Sequence, residues 1–283
     1  KYDRVKNVEF AAAVFLNIGM DHISPIEHPD FEDYFASKLK IFAQAGVNCV
    51  NLDSDHAGRI LEAARQAGKP VFTFSQRDPQ ADIYASQVRK EDGQTVFHVR
   101  TPQYEREFRL TMPGLFNVEN ALGVIAVCHA LHVPPAAVYD GLVRARVPGR
   151  METYTNADGS LHAIVDYAHN RLSFETLFRS VRAEYPGREL TVLFGCTGGK
   201  GIDRREGMGN AAGEWADRII LTEDDPGPEE VEAICADIGV FLAAPGKDYT
   251  VIPNREAAGE TAILGARRPA GGGGGGEGGG GGG

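Results

Sequence analysis

Four cysteines in 283 residues, Cys49, Cys128, Cys196 and Cys235, are too few and too widely spaced to form a Cys-x-x-Cys pair. That excludes a disulfide scaffold and a thiolate zinc site, and it suits a reducing compartment. No apolar run approaches the roughly 18 residues of a membrane span. The opening Lys1-Tyr-Asp-Arg4 lacks the hydrophobic segment of a signal peptide, so the cytoplasm is the default location and no membrane insertion is expected. Positive charge is in deficit: 29 Lys and Arg stand against 39 Asp and Glu, for a formal net charge of −10. Nucleic acid and anionic membranes reward a basic patch, so neither is an expected partner. A Walker A loop is missing as well. The nearest stretch, Gly195-Cys-Thr-Gly-Gly-Lys200-Gly, has three residues between its first glycine and the Gly-Lys pair, and Gly201 follows where Ser or Thr would ligate magnesium.

What is present reads as a globular α/β chain. Hydrophobic content of 42% with 24% charged residues is ordinary for a packed core, and the length suggests two domains. Ala11–Asn17 is apolar and β-branched enough for a buried strand. Val47–Asp53 and Val71–Ser75 read as further short strands, with a helix over His56–Gln66 between them. Phe31, Tyr34, Phe35, Leu39 and Phe42 recur at helical spacing, carrying Lys38 beside the apolar face. From Asp82 to Thr111 apolar and polar residues alternate around a turn at Glu91-Asp92-Gly93, which predicts antiparallel strands capping the first domain. Helices follow over Phe116–Leu131, stopped by Pro134 and Pro135, and on to Arg144.

Pro148 and Gly149 punctuate the chain where a new strand and helix alternation begins. We therefore divide it into residues 1–148, a parallel sheet plus a small antiparallel sheet, and residues 149–270, a Rossmann-like domain. The latter's predicted strands are His162–Asp166, Leu190–Phe194, Arg218–Thr222 and Tyr249–Ile252. Its predicted helices are Leu172–Glu184, Glu206–Trp215, Pro228–Ile238 and Arg255–Arg267. Residues 271–283 are all glycine except Glu277, with neither backbone restraint nor side chains to pack, and read best as unassigned residues. The first residues run into a core-like strand within about ten positions, as the middle of a domain would.

Asp21 and His22 fall just past the carboxyl end of the first predicted strand, the edge at which open α/β sheets bind ligands. Singly, an Asp-His pair is more often a hydrogen-bonded turn, and a helical lysine usually reaches into water. In order they form a longer pattern, Asn17-x-x-x-Asp21-His22 followed by Tyr34-x-x-x-Lys38. It resembles the central domain of the Mur ligases, ATP-dependent enzymes that add amino acids to the peptidoglycan precursor. The resemblance implies that Lys38 is carbamylated, becoming an oxygen ligand suited to Mg²⁺, and that His22 holds the second metal position.

Three further blocks keep the family's order. Gly114-Leu-Phe-Asn117-Val-Glu-Asn120 is similar to the segment whose second asparagine, here Asn120, bonds adenine. Pro148-Gly149-Arg150 and Asp166-Tyr167-Ala168-His169 are similar to the interdomain hinge and nucleotide contacts. There the resemblance implies Arg150 on phosphate or ribose, Asp166 on the ribose hydroxyls and His169 by the base.

Asp166-Tyr-Ala-His169 and the block from Gly195 to Gly209 resemble the tripeptide-forming branch most, rather than folylpolyglutamate or cyanophycin synthetase types. That branch implies two substrates, UDP-MurNAc-dipeptide and a free diamino acid. Members that add meso-diaminopimelate carry Asp-Asn-Pro-Arg after the third strand, its arginine forking the distal carboxylate. Here the same place reads Glu223-Asp224-Asp225-Pro226-Gly227. An ammonium would be matched and a carboxylate repelled, so lysine is favoured, with ornithine close behind. Lys200 stands where many relatives place an arginine toward the α-carboxylate. The acids also suit the amino-terminal dipole of the helix predicted from Pro228. The family's uridine-nucleotide-binding domain and phosphate loop would precede Lys1, so this chain alone is expected to be inactive. A non-catalytic scaffold keeping the fold is the alternative of a different class.

Overall fold

The computed structural model describes residues 5–19, 28–243 and 246–266, so the expected roles of Asp21, His22 and the glycine-rich tail fall outside the described residues. The first half is built on one six-stranded sheet, in the order β1 (Ala13–Phe15), β2 (Asn48–Asn51), β3 (Val71–Ser75), β4 (Ile83–Glu91), β5 (Gln94–Arg100) and β6 (Glu105–Leu110). The first three strands and the start of β4 run parallel, while β4, β5 and β6 pair antiparallel. The expected antiparallel strands therefore extend the parallel sheet through Phe74↔Ile83 and Ser75↔Tyr84.

Alternation along the strands sends neighbours to opposite faces. Cys49 joins Phe74, Ile83, Phe97 and Phe108 beneath Leu122 and Ile125 of α3 (Asn117–Ala130). Its neighbour Val50 joins Phe15, Phe35, Phe42 and Ile60 on the other face, under α1 (Phe31–Leu39) and α2 (Ala57–Gln66). The periodicity predicted for residues 31–42 resolves into α1 followed by a tighter 3₁₀ turn over Lys40–Gln44, whose Phe42 completes that core. Asp30 caps α1 by accepting from Asp33 N. α4 (Pro135–Arg144) starts with proline at its first turn, where no backbone N–H is needed.

Past α4 the chain crosses Gly149 and Met151, at φ 68° and 51°, into β7 (Glu152–Thr155) and β8 (His162–Val165). Here the structure corrects the sequence reading. β8 does not join the parallel sheet; it pairs antiparallel with β7, a strand of exposed and half-buried residues without an apolar face to announce it. The parallel sheet has three strands in the order β11 (Tyr249–Val251), β10 (Arg218–Leu221) and β9 (Thr191–Phe194). Ile219 and Leu221 face the core formed with α5 (Arg171–Glu184), α6 (Asp203–Trp215) and α7 (Val231–Ala243). Ile220, fully buried, points the other way, toward the side where α8 (Arg255–Leu264) packs.

Contacts join the halves. A Cβ built on Gly19 would lie 3.1 Å from Leu172 Cδ2 at the start of α5. Ser180 of α5 accepts from Leu115 N at 3.3 Å, and Lys90 at the tip of β4 pairs with Glu184. No described helix is long and apolar enough to cross a membrane.

Candidate functional site

Three strands of the first sheet deliver polar side chains to their carboxyl ends. Asn51, fully buried, donates from Nδ2 to Leu16 O at 2.8 Å and to Glu119 Oε1 at 2.7 Å, while its Oδ1 accepts from Asp53 N. Asp53 in turn accepts from Ser75 Oγ and Gln76 N. Burial pushes the Glu119 carboxyl above the usual range, with the hydrogen bonds from Asn17 and Asn51 acting against that shift. The sequence reading missed Asn51, Asp53 and Glu119, because only the parallel topology brings them together.

Asn120, one residue further along α3, is exposed and donates to Asn117 Oδ1, and Asn117 is anchored on Pro113 O at 2.6 Å. Pro113, Thr111 and Met112 line a cavity of about 360 Å³ with Arg146–Pro148 and Arg150–Thr153, a size in the range of small-molecule sites. Arg150 lies at its wall with its guanidinium 4.8 Å from the centre of the Tyr167 ring, and Tyr167 lies 5.0 Å from the His169 ring. His169 Nδ1 sits 2.9 Å from Tyr167 O. A carbonyl only accepts, so Nδ1 is the donor in this contact. Asp166 accepts from Met151 N and Ala168 N, one bond per oxygen, which leaves lone pairs for two hydroxyl donors. The structure thus brings Arg150, Asp166 and His169 into one cluster.

The loops after β9 and β10 lie one against the other. Gly198 N donates to Asp225 O at 2.9 Å. A Cβ on Gly195 would overlap Thr222 O, and one on Gly198 would overlap Pro226 O, so glycine is needed at both for the approach. Lys200, Asp224 and Asp225 are exposed on this paired edge. The acids do not cap a helix at Pro228, since α7 starts at Val231. Glu223 instead serves α8: its Oε1 accepts from Arg255 N, and Arg255 Nη1 donates to Glu223 O at 2.8 Å.

Lys38 is exposed on the last turn of α1, its Nζ 5.2 Å from the centre of the Tyr34 ring. An ammonium cannot ligate a cation, so Lys38 fits a magnesium site only after its nitrogen takes up carbon dioxide. Among the described residues no group of three or more His, Cys, Asp or Glu forms a metal cage.

Residues 1–128 match the Mur ligase middle domain, and residues 149–270 match the Mur ligase glutamate ligase domain. The chain belongs to the Mur ligase family. It is 37% identical over 269 residues to the UDP-N-acetylmuramoyl-L-alanyl-D-glutamate–L-lysine ligase of Enterococcus faecalis, covering 93% of this chain and 52% of that protein. It is 32% identical to the corresponding 2,6-diaminopimelate ligase of Clostridioides difficile, covering 94% of this chain and 54% of that one. The chain therefore spans about half the length of these relatives. Its fold is similar to that of Mycobacterium tuberculosis folylpolyglutamate synthase, with a TM-score of 0.73 at 19% identity over 90% of this chain and 57% of that one.

Proposed function

We propose that this chain is the nucleotide- and amino-acid-binding portion of an ATP-dependent ligase that joins a diamino acid, L-lysine by preference, to UDP-MurNAc-L-Ala-D-Glu. Residues 1–148 would form the carboxyl-terminal part of the central domain and residues 149–270 the ligase domain. The observation that carries the reading is the stacking of the β9 and β10 loops, with Gly198 N on Asp225 O. It supports an amino-acid pocket in which Lys200 meets an α-carboxylate and Asp224 and Asp225 meet a distal ammonium.

In this reading adenosine binds at the linker cavity, with Asn120 on the base, His169 beside it, Arg150 on phosphate or ribose and Asp166 accepting from ribose hydroxyls. The γ-phosphoryl group of ATP passes to the D-glutamyl side-chain carboxylate and ADP departs. The α-amine of the diamino acid then attacks the acyl carbon, phosphate leaves, and the nitrogen loses a proton. Lys38, once carbamylated, and His22 would hold magnesium, which supplies charge neutralisation between donor and acceptor oxygens. Rotation about Gly149 would close the second domain over the first.

A second reading, addition of meso-diaminopimelate, draws on Arg255, whose guanidinium lies beside the acidic loop on Glu223 O. Competition between lysine, ornithine and meso-diaminopimelate in an ATP-dependent addition assay on the full-length protein separates the two. A preference for lysine supports the proposal; a preference for meso-diaminopimelate transfers the role to Arg255; no addition of any of them removes the ligase reading.

A further inference from the structure

Arg205 is a buried charge outside every role assigned so far. Only 4% exposed, it sits in the first turn of α6 and reaches three separate elements. Its Nη1 donates to Asp237 of α7 at 2.6 Å, and its Nη2 donates to Glu229 at 2.8 Å and, at 3.5 Å, to Thr197 O in the glycine loop. Glu229 divides its two oxygens: Oε2 takes Arg205 and Oε1 takes the backbone N–H of Gly199 at 2.5 Å. Thr197 Oγ1 closes the turn on Lys200 O at 3.2 Å. One guanidinium and one carboxylate thus tie the loop bearing Lys200 to the segment that follows Asp224 and Asp225.

The exposed residues of these loops have little packing of their own, so their relative position is set from beneath. A buried guanidinium is costly unless its charge is matched. Here the hydrogen bonding of Arg205, then the Gly199 N–H and, least, the charge of Arg205, hold the Glu229 carboxyl below its ordinary range against its burial. Asp237 balances the second fork of the guanidinium. Lysine could not span Glu229 and Asp237 at once, because it offers a single point of charge.

We infer that Arg205 and Glu229 are positioning residues for the amino-acid pocket, fixing Lys200 against Asp224 and Asp225 without touching substrate themselves. This rests on the ligase reading above. The signature is selective: a loosened clamp weakens capture of the free amino acid and leaves the nucleotide, bound at the linker, undisturbed. Misplacement of a binding group by about 1 Å can cost about 100-fold.

The test uses Glu229→Gln and Arg205→Lys in the full-length protein, with KM measured separately for the diamino acid and for ATP. The glutamine has one acceptor for two donors, so one tie is lost while the side chain keeps its size. We expect KM for the diamino acid to rise about 10- to 100-fold, with KM for ATP within about twofold of the parent. Equal rises for both substrates, or no change in either, would overturn the inference. A parent protein without ATP-dependent addition would defeat the ligase reading instead, and the clamp is then decided by amide hydrogen exchange on the 283-residue chain. Faster exchange confined to Gly198–Lys200 in Glu229→Gln upholds it; unchanged exchange there, or exchange raised across the whole second half, refutes it.

Discussion

The backbone N–H of Met151 donates to Oδ2 of Asp166 at 2.8 Å, fastening the linker after α4 to the end of β8. Met151 holds φ at 51°, a left-handed conformation that costs a residue other than glycine about 1–2 kcal/mol. Its side chain is almost wholly buried. Burial and a charge-assisted hydrogen bond together offset the backbone strain, in the segment that the proposed function treats as a hinge.

Asp166→Ala should therefore destabilise the chain even with no nucleotide present. Two backbone N–H groups, of Met151 and Ala168, lose their acceptor. Hydrogen bonds to charged groups contribute about 1.5–3 kcal/mol each, and water competes at this half-exposed site, so about 2 kcal/mol in total is expected. Urea unfolding of the chain would show a lower midpoint at constant slope. A loss under about 0.5 kcal/mol would mean that the linker is held by Met151 packing alone. Met151→Gly separates the terms: relief of about 1–2 kcal/mol of strain is outweighed by about 2–5 kcal/mol for the emptied side-chain site.

Lys38→Ala gives the opposite profile. The side chain is exposed and its contact with Tyr34 is a cation over a ring, worth about 0.5–1 kcal/mol at an exposed site. Thermal stability should barely move. Turnover by the full-length protein should vanish and return in part with added short carboxylates, which replace the oxygens of the carbamate. Undiminished turnover would remove Lys38 from the mechanism.

Much of the fold was legible because several helices bury apolar residues at helical spacing. Phe174 and Phe178 of α5, and Leu122 and Ile125 of α3, repeat at helical spacing and pack into cores. The parallel strands announced themselves as short apolar runs between turns. β7 did not, since Glu152–Thr155 has no buried residue and pairs only with β8. Arg150, Asp166 and His169, which the resemblance singles out from short local motifs, lie together because they are near in sequence. Asn51 with Glu119, and Arg205 with Glu229, were not legible. Those partners are 68 and 24 residues apart and meet only after strand order and helix packing are settled.

Charge at the β10 loop should set amino-acid choice. Asp224 and Asp225 are exposed, and the neighbouring Glu223 is engaged with Arg255. Replacing both aspartates by asparagine removes the attraction for a distal ammonium and the repulsion of a distal carboxylate together. The ratio of lysine to meso-diaminopimelate addition should fall by about tenfold, equivalent to about 1.4 kcal/mol. A ratio unchanged in the double variant would assign discrimination to residues elsewhere.

Glu119 should set a pH dependence of stability with a definite sign. Burial raises its folded-state pKa above the ordinary value of 4.5, despite opposing hydrogen bonds from Asn17 and Asn51. The folded state therefore holds this proton more tightly than the unfolded chain does. Its contribution to stability is fully present below pH 4.5 and is lost as pH rises through the elevated folded value. Glu119→Gln keeps an oxygen for Asn51 Nδ2 and carries no charge to desolvate. Relative to the parent chain, the variant should gain Tm as pH increases from about 4 to about 8, level off once the parent carboxyl is ionised, and show no gain at the acid end. A variant that loses stability relative to the parent as pH rises would mean that the Asn17 and Asn51 hydrogen bonds outweigh burial, and that Glu119 is held as a carboxylate at the sheet edge.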